Sequence, residues 1–123
     1  MTHIPFKCHT GTVPLRILVC GTAGSGKTFL IHALSQRLGA RELVLAPTGV
    51  AADNIDGQTY HSMIPIPLVD VSRANITPSK KRMAKFAEDM QGVDYLIIDE
   101  MFMVGRRALG QIDHLLRRAT GIN

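Results

Sequence analysis

Short apolar runs alternate with amphipathic stretches along this chain, and the alternation predicts its elements. Leu15-Arg16-Ile17-Leu18-Val19-Cys20 is a β-rich apolar run that reads as a buried parallel strand. After a glycine-rich turn, Lys27–Leu38 places Phe29, Leu30, Ala33, Leu34 and Leu38 at helical spacing, and Gly39 closes the helix. Glu42–Ala46 is a second strand, followed by Pro47-Thr48-Gly49 and a short helix over Val50–Asn54. A loop with Gly57, Pro65 and Pro67 leads to a helix over Ser79–Met90, a third strand over Tyr95–Ile98 and a last helix over about Arg106–Ala119. Strands alternating with helices predict an α/β fold, a parallel sheet with flanking helices and right-handed crossovers.

The turn between the first strand and helix carries the sharpest chemistry. Gly21-Thr22-Ala23-Gly24-Ser25-Gly26-Lys27-Thr28 fits the phosphate-loop pattern G-x-x-x-x-G-K-[ST], with a strand before it and a helix after it. Its glycines let backbone N–H groups turn toward phosphate oxygens, and the helix N-terminus adds a field that favours an anion. Lys27 reaches the β- and γ-phosphates in such a loop, and the Thr28 hydroxyl ligates Mg²⁺. The sequence therefore predicts a P-loop NTPase that binds a nucleoside triphosphate with magnesium.

The third strand ends on Asp99-Glu100, at the carboxyl edge where parallel sheets bind ligands. Asp99 there is placed to hold the same metal ion as Thr28, and Glu100 to polarise an attacking water as general base. An acid that merely caps the next helix is the plainer reading of such a pair. It follows the phosphate loop at a spacing that allows two further strand–helix units, which favours the catalytic reading.

Composition narrows the setting. The chain has 123 residues, 46% of them hydrophobic, which suits one globular domain at most. Cys8 and Cys20 are too few for a disulfide scaffold, and Cys20, in the strand feeding the loop, is expected to be a buried free thiol. His3, Cys8 and His9 lack metal-ligand spacing. No apolar run approaches the roughly 18 residues that span a membrane, and the first residues carry no secretory or transit pattern. An intracellular, soluble protein without a membrane partner is expected. The net charge of +4 is compatible with nucleic acid. Lys80, Lys81, Arg82 and Lys85, like Arg106, Arg107, Arg117 and Arg118, read as solvated helix faces.

The loops after the second strand discriminate further. Ala46-Pro47-Thr48-Gly49-Val50-Ala51-Ala52 sets a helix N-terminus beside the nucleotide edge, where N–H groups can meet a backbone phosphate. Gly57-Gln58-Thr59-Tyr60-His61-Ser62 brings hydroxyls and an imidazole to a second turn. In series with the phosphate loop and Leu96-Ile97-Ile98-Asp99-Glu100, these segments resemble the Pif-type (RecD-like) DNA helicases of superfamily 1, from about Leu15 to Ala119.

That resemblance implies a RecA-like motor that hydrolyses ATP and moves 5′ to 3′ on single-stranded DNA, with family roles in replication, recombination, repair and telomere upkeep. In a eukaryote it implies a nuclear or mitochondrial protein. It implies that Lys27, Thr28, Asp99 and Glu100 are the ATPase residues, and that Pro47, Thr48, Gly49, Thr59, His61 and Ser62 contact the DNA strand. Residues 1–14 are then an N-terminal segment, and residues 15–123 an incomplete, partial first motor domain. The γ-phosphate sensor, the second motor half with its arginine finger, and a central strand between the phosphate-loop strand and the Asp-Glu strand are expected beyond Asn123. Without that strand, the sheet is expected to hold a gap or a non-native pairing, and this chain alone to be inactive.

Family members read Asp-Glu-x-Ser-Met-Val where this chain has Asp99-Glu100-Met101-Phe102-Met103-Val104, which sets a bulky ring beside the acids. The alternative is a degenerate nucleotide-binding module without motor activity. A small nucleoside kinase would carry an arginine-rich lid and an acceptor site, and neither is visible.

Overall fold

The computed structural model describes residues 2–5, 16–66 and 78–121. Its centre is a five-stranded sheet in the order β2-β1-β5-β3-β4. Three strands are parallel, as the alternating pattern predicts: β3 (Glu42–Ala46) lies between β5 (Tyr95–Ile98) and the two-residue β4 (Gln58–Thr59). The register runs from Glu42 opposite Tyr95 to Leu45 opposite Ile98, while Leu45 and Ala46 face Gln58 and Thr59.

Side chains of β3 and β5 alternate between the two faces, and a separate core forms on each. Leu43, Leu45, Leu96 and Ile98 point to one face, where they meet α3 (Tyr60–Met63), α4 (Lys80–Asp89) and α5 (Arg106–Thr120) through Tyr60, Met83, Phe86, Ile112, Leu115 and Leu116. Val44, Ala46 and Ile97 point to the other, against Ile31 of α1 (Lys27–Leu38) and Ala51 and Ala52 of α2 (Gly49–Asp53). Each central strand is thereby buried on both sides, which is why both read as unbroken apolar runs. At the opposite edge from the phosphate loop, Arg41 N-terminal to β3 forms an ion pair with Asp94, and the Asp94 amide donates to the Arg41 carbonyl over 2.7 Å. Asp94 is only 8% exposed, so this partner compensates a buried charge.

Three expectations need correction. The phosphate-loop strand pairs only over Ile17–Leu18 (β2), and these residues are 42% and 54% exposed rather than buried. The reason is position: β2 is the sheet's edge, with a neighbour on one side only. Cys20, expected to be buried, is exposed for the same reason. The apolar stripe of α1 is also rotated. Ile31 is the buried anchor, with Leu34 and Leu38 packed beside it, whereas Phe29 is 78% exposed. Residues 31, 34 and 38 share one helix face, and 29 and 30 project from the next.

The third correction concerns the expected gap. Thr2–Pro5 forms β1, which fills the slot between β2 and β5 and runs antiparallel to both. Thr2 lies opposite Leu18 on one side and Ile98 on the other. A parallel crossover strand was expected there; an antiparallel N-terminal strand satisfies the same backbone groups. Cys8, His9, Pro67 and Leu15 lie outside the described residues. Among the described residues no helix is long and apolar enough to cross a membrane, and no group of three or more His, Cys, Asp or Glu residues is placed to hold a metal.

Candidate functional site

All the motif residues come to one edge of the sheet, and the strand order arranges them in a row. Because β1 is antiparallel to both β2 and β5, those two strands run in the same direction, as do β3 and β4. Their carboxyl ends therefore share an edge. Along it, in spatial order, lie the phosphate loop after β2, Asp99 and Glu100 after β5, Pro47-Thr48-Gly49 after β3, and Thr59 with His61 and Ser62 after β4. Strands spaced about 4.8 Å apart put the loop and the acids roughly 10 Å from each other across the β1 slot.

The loop itself is built by its glycines. Gly24 and Gly26 take φ of 75° and 86°, a left-handed region that a side chain would strain. Gly26 is also the residue immediately before α1, so the chain turns abruptly from loop to helix. Lys27 folds back over the loop. Its Nζ donates to the carbonyls of Gly21 and Thr22 over 2.9 and 2.8 Å, and to Ser25 Oγ over 3.4 Å. The ammonium is thus held inside the bowl where phosphate oxygens are expected. Thr28, Gly21, Thr22, Ala23 and Ser25 are exposed to an incoming ligand.

The acidic pair is held differently. The Asp99 amide donates to the Leu45 carbonyl over 2.9 Å, one step past the end of the β5–β3 ladder, which fixes the backbone at the acid. Asp99 Oδ1 accepts from the Glu100 amide over 2.9 Å. Glu100 has φ 47° and ψ 41°, a left-handed conformation costly for a non-glycine residue, before a tight helical turn over Met101–Met103. That kink leaves Glu100 exposed at the strand's end. Phe102 in the same turn is 83% exposed, so its ring projects from the turn into solvent. One hydroxyl, Thr28, and one carboxylate, Asp99, on one edge form an all-oxygen donor set that fits a hard cation such as Mg²⁺ retaining its waters.

The two segments beyond carry caps. Thr48 precedes α2, its Oγ1 accepting from the Ala51 amide over 3.2 Å. Thr59 caps α3 through a closed set of bonds. Its Oγ1 accepts from the Ser62 amide over 3.3 Å and donates to Ser62 Oγ over 3.0 Å, and Ser62 Oγ donates to the Thr59 carbonyl over 2.8 Å. Gly57 lets the chain enter β4, since a Cβ there would stand 2.8 Å from the Val44 carbonyl oxygen. His61 is exposed, and its ring lies against that of buried Tyr60 with centroids 4.0 Å apart. The sequence reading missed β4 and α3 and the part Tyr60 plays under the imidazole; the Thr59-x-x-Ser62 spacing was the available signal of a cap. On α5, Arg117 donates to Asp113 over 2.9 Å, which raises its guanidinium pKa above the usual value and ties it to a solvated face.

Comparison with known proteins now decides the family. The PIF1-like helicase family matches residues 8–121, nearly the whole chain. The chain belongs to the PIF1-like helicases. It is 32% identical over 108 residues to the ATP-dependent DNA helicase Pif1 of Bdellovibrio bacteriovorus, a match covering 84% of this chain and 24% of that protein. To the ATP-dependent DNA helicase PIF4 of Trypanosoma brucei brucei it is 30% identical over 110 residues, covering 85% and 13%. Among solved structures it resembles Bacteroides Pif1 bound to ssDNA, with TM-score 0.60 and 37% identity over 80% of this chain and 23% of that one. The chain thus spans about a quarter or less of the length of these relatives. Family and fold agree on a partial RecA-like domain.

Proposed function

We propose that this chain is the nucleotide-binding part of the first motor domain of a 5′–3′ DNA helicase, which hydrolyses Mg-ATP to move along single-stranded DNA. Residues 15–123 belong to that motor, and the rest of it lies in sequence the chain does not include. The observation that carries the reading is the row of motif residues on one sheet edge, with the phosphate loop at one end and the Thr59–Ser62 turn at the other.

In this reading the loop amides Gly21 to Thr28 wrap the phosphates, and Lys27 exchanges its carbonyl partners for phosphate oxygens. Thr28 and Asp99 would hold magnesium, which would supply positive charge against the phosphates. Glu100, projecting from its kinked backbone, accepts the proton of the attacking water. Pro47, Thr48 and Gly49 present the α2 amides to a DNA phosphate, while His61 and the Thr59–Ser62 cap form the next contact. Thr48 Oγ1, an acceptor in its cap, retains its own hydrogen for such a bond. Asp99 and Thr48 follow adjacent strands joined by the β3–β5 ladder, so a shift at the nucleotide has a short rigid path to the DNA contacts. The solved Bacteroides relative bound to ssDNA supports that partner. Roles in replication, recombination, repair and telomere maintenance are carried over at family level as part of this proposal.

A nucleotide-binding module without motor activity is the second reading, favoured by Phe102 standing at the serine position beside the acids. Titration with a fluorescent ATP analogue and with labelled oligo-dT tests the proposal. Mg-dependent nucleotide binding and salt-sensitive strand binding are expected, with nucleotide affinity lost in Lys27→Ala and strand affinity lost in Thr48→Ala/His61→Ala. A chain that binds nucleotide but no single strand leaves the second reading standing.

A further inference from the structure

The row of contacts along the sheet edge does not stop at β4. Beyond it, α4 packs beside α3, and the two helices enclose a cleft of about 600 Å³ lined by Gln58, Ser62, Arg82, Lys85 and Asp89 over a floor that includes Phe86. Met83, Phe86 and Met90 are the buried face of α4. Arg82 and Lys85, one turn apart, open toward Ser62, and their charged groups have no carboxylate within ion-pair distance among the described residues. Asp89 closes the far end with the only negative charge among the described residues of the lining.

The charge order of α4 is the opposite of what helix stability favours. Lys80, Lys81 and Arg82 occupy its first turn and Glu88 and Asp89 its last, with no acid in the first turn and no base in the last. Each charge placed against the helix macrodipole destabilises the helix at low ionic strength. A purely solvated face gains nothing from that order. A face that concentrates positive potential at one end, beside Ser62, does.

We infer that Arg82 and Lys85 form, with Gln58 and Ser62, a further phosphate subsite that continues the single-strand track past the Thr59–Ser62 turn. This rests on the DNA-binding reading above and assigns it two added contacts. The two cations are about 4.5 Å apart along the helix axis, close enough to meet neighbouring phosphates of one strand. Gln58 supplies a neutral amide donor on the facing wall, and Ser62, whose hydroxyl proton is held by the Thr59 carbonyl, borders it. Cations that meet phosphates carry no sequence information, so the subsite is blind to sequence.

The test is oligo-dT binding by the full chain across a salt series. Each single-strand phosphate contact contributes about 0.7 to the slope of log K against log salt. Arg82→Gln/Lys85→Gln should lower that slope by about 1.4 while nucleotide affinity stays unchanged and the melting temperature does not fall. Lys80→Gln/Lys81→Gln, a charge-matched pair on the same helix but outside this cleft, should leave the slope as it is. An equal drop in both variants overturns the subsite, because it reports net charge alone. An unchanged slope in the double variant, with binding still lost in Thr48→Ala/His61→Ala, overturns the subsite and leaves the DNA reading intact. Absence of strand binding by the unmodified chain overturns both. Equal losses toward polyglutamate and oligo-dT would also overturn it, marking a general anion face.

Discussion

The two halves of the nucleotide site reach the same sheet edge by opposite means. Asp99 ends β5, whose Leu96, Ile97 and Ile98 are fully buried and clamped between two cores. The phosphate loop follows β2, a two-residue edge strand exposed on its outer side and joined to the sheet through β1 alone. An acid must stand at a fixed point relative to a ligand, so its position is worth a packed strand. A phosphate loop carries its geometry within itself, in the dihedral angles of Gly24 and Gly26 and the reach of Lys27, and tolerates a loosely held base. Precision at one side is global and at the other local.

The strongest way to break this contrast is to cut matching apolar groups on both sides. Ile97→Ala should cost about 2–5 kcal/mol, whereas Leu18→Ala, already half exposed, should cost well under that. Chemical denaturation of both variants measures it, and similar losses would mean that β2 is as firmly packed as β5. Next in size is the clamp at the far edge. Arg41→Ala leaves the Asp94 carboxylate buried without its partner, at about 1–3 kcal/mol after allowance for the exposed guanidinium. Removing the acid instead, in Asp94→Asn, should cost less, because the arginine left behind is solvated. A reversed order in thermal melts would contradict the burial asymmetry.

On the loop side, Lys27→Ala should reduce Mg-ATP affinity at least about tenfold, or 1.4 kcal/mol, with little change in stability. Equal loss of stability and affinity would show that the bowl is part of the packed structure rather than a local device. The smallest effect belongs to Thr48→Ala, which removes the α2 cap for about 1 kcal/mol. Here the sharper measurement is Thr48→Ser, which keeps the oxygen. Recovery of the melt by serine assigns the hydroxyl its structural share and leaves the remainder to strand binding.

The contrast also explains what was legible in the sequence. Lys27–Leu38, Glu42–Ala46 and Tyr95–Ile98 have the bounds that periodicity and terminating residues indicate, because local pattern and burial coincide there. The motif residues were readable too, since glycine spacing and strand-terminal acids are local signatures. What escaped was set by neighbours distant in sequence. The exposure of Cys20 and Phe29 depends on where β2 and α1 fall in the sheet, which no window of residues contains. Thr2-His3-Ile4-Pro5 is a poor strand by composition, ending in proline, and becomes one because two partners flank an open slot. Arg82 and Lys85 read as a solvated face and are exposed; the cleft they share with Gln58 and Ser62 escaped, because that wall is more than 15 residues away along the chain.

The slot between β2 and β5 has a further consequence, best expressed as concentration. β1 is tethered to β2 by the short stretch between Pro5 and Ile17, and a short tether presents a segment to its site at roughly millimolar effective concentration. A strand offered from another molecule must exceed that level to take its place. The same arithmetic works against the chain once the tether is cut. Cleavage between β1 and β2 would turn an intramolecular strand into a dilute four-residue peptide, and β2 would lose its sole neighbour in the described sheet. The phosphate loop keeps its glycine-set shape in that event, but its alignment with Asp99 then rests on packing, through Val19 and the Ile31, Leu34 and Leu38 face of α1.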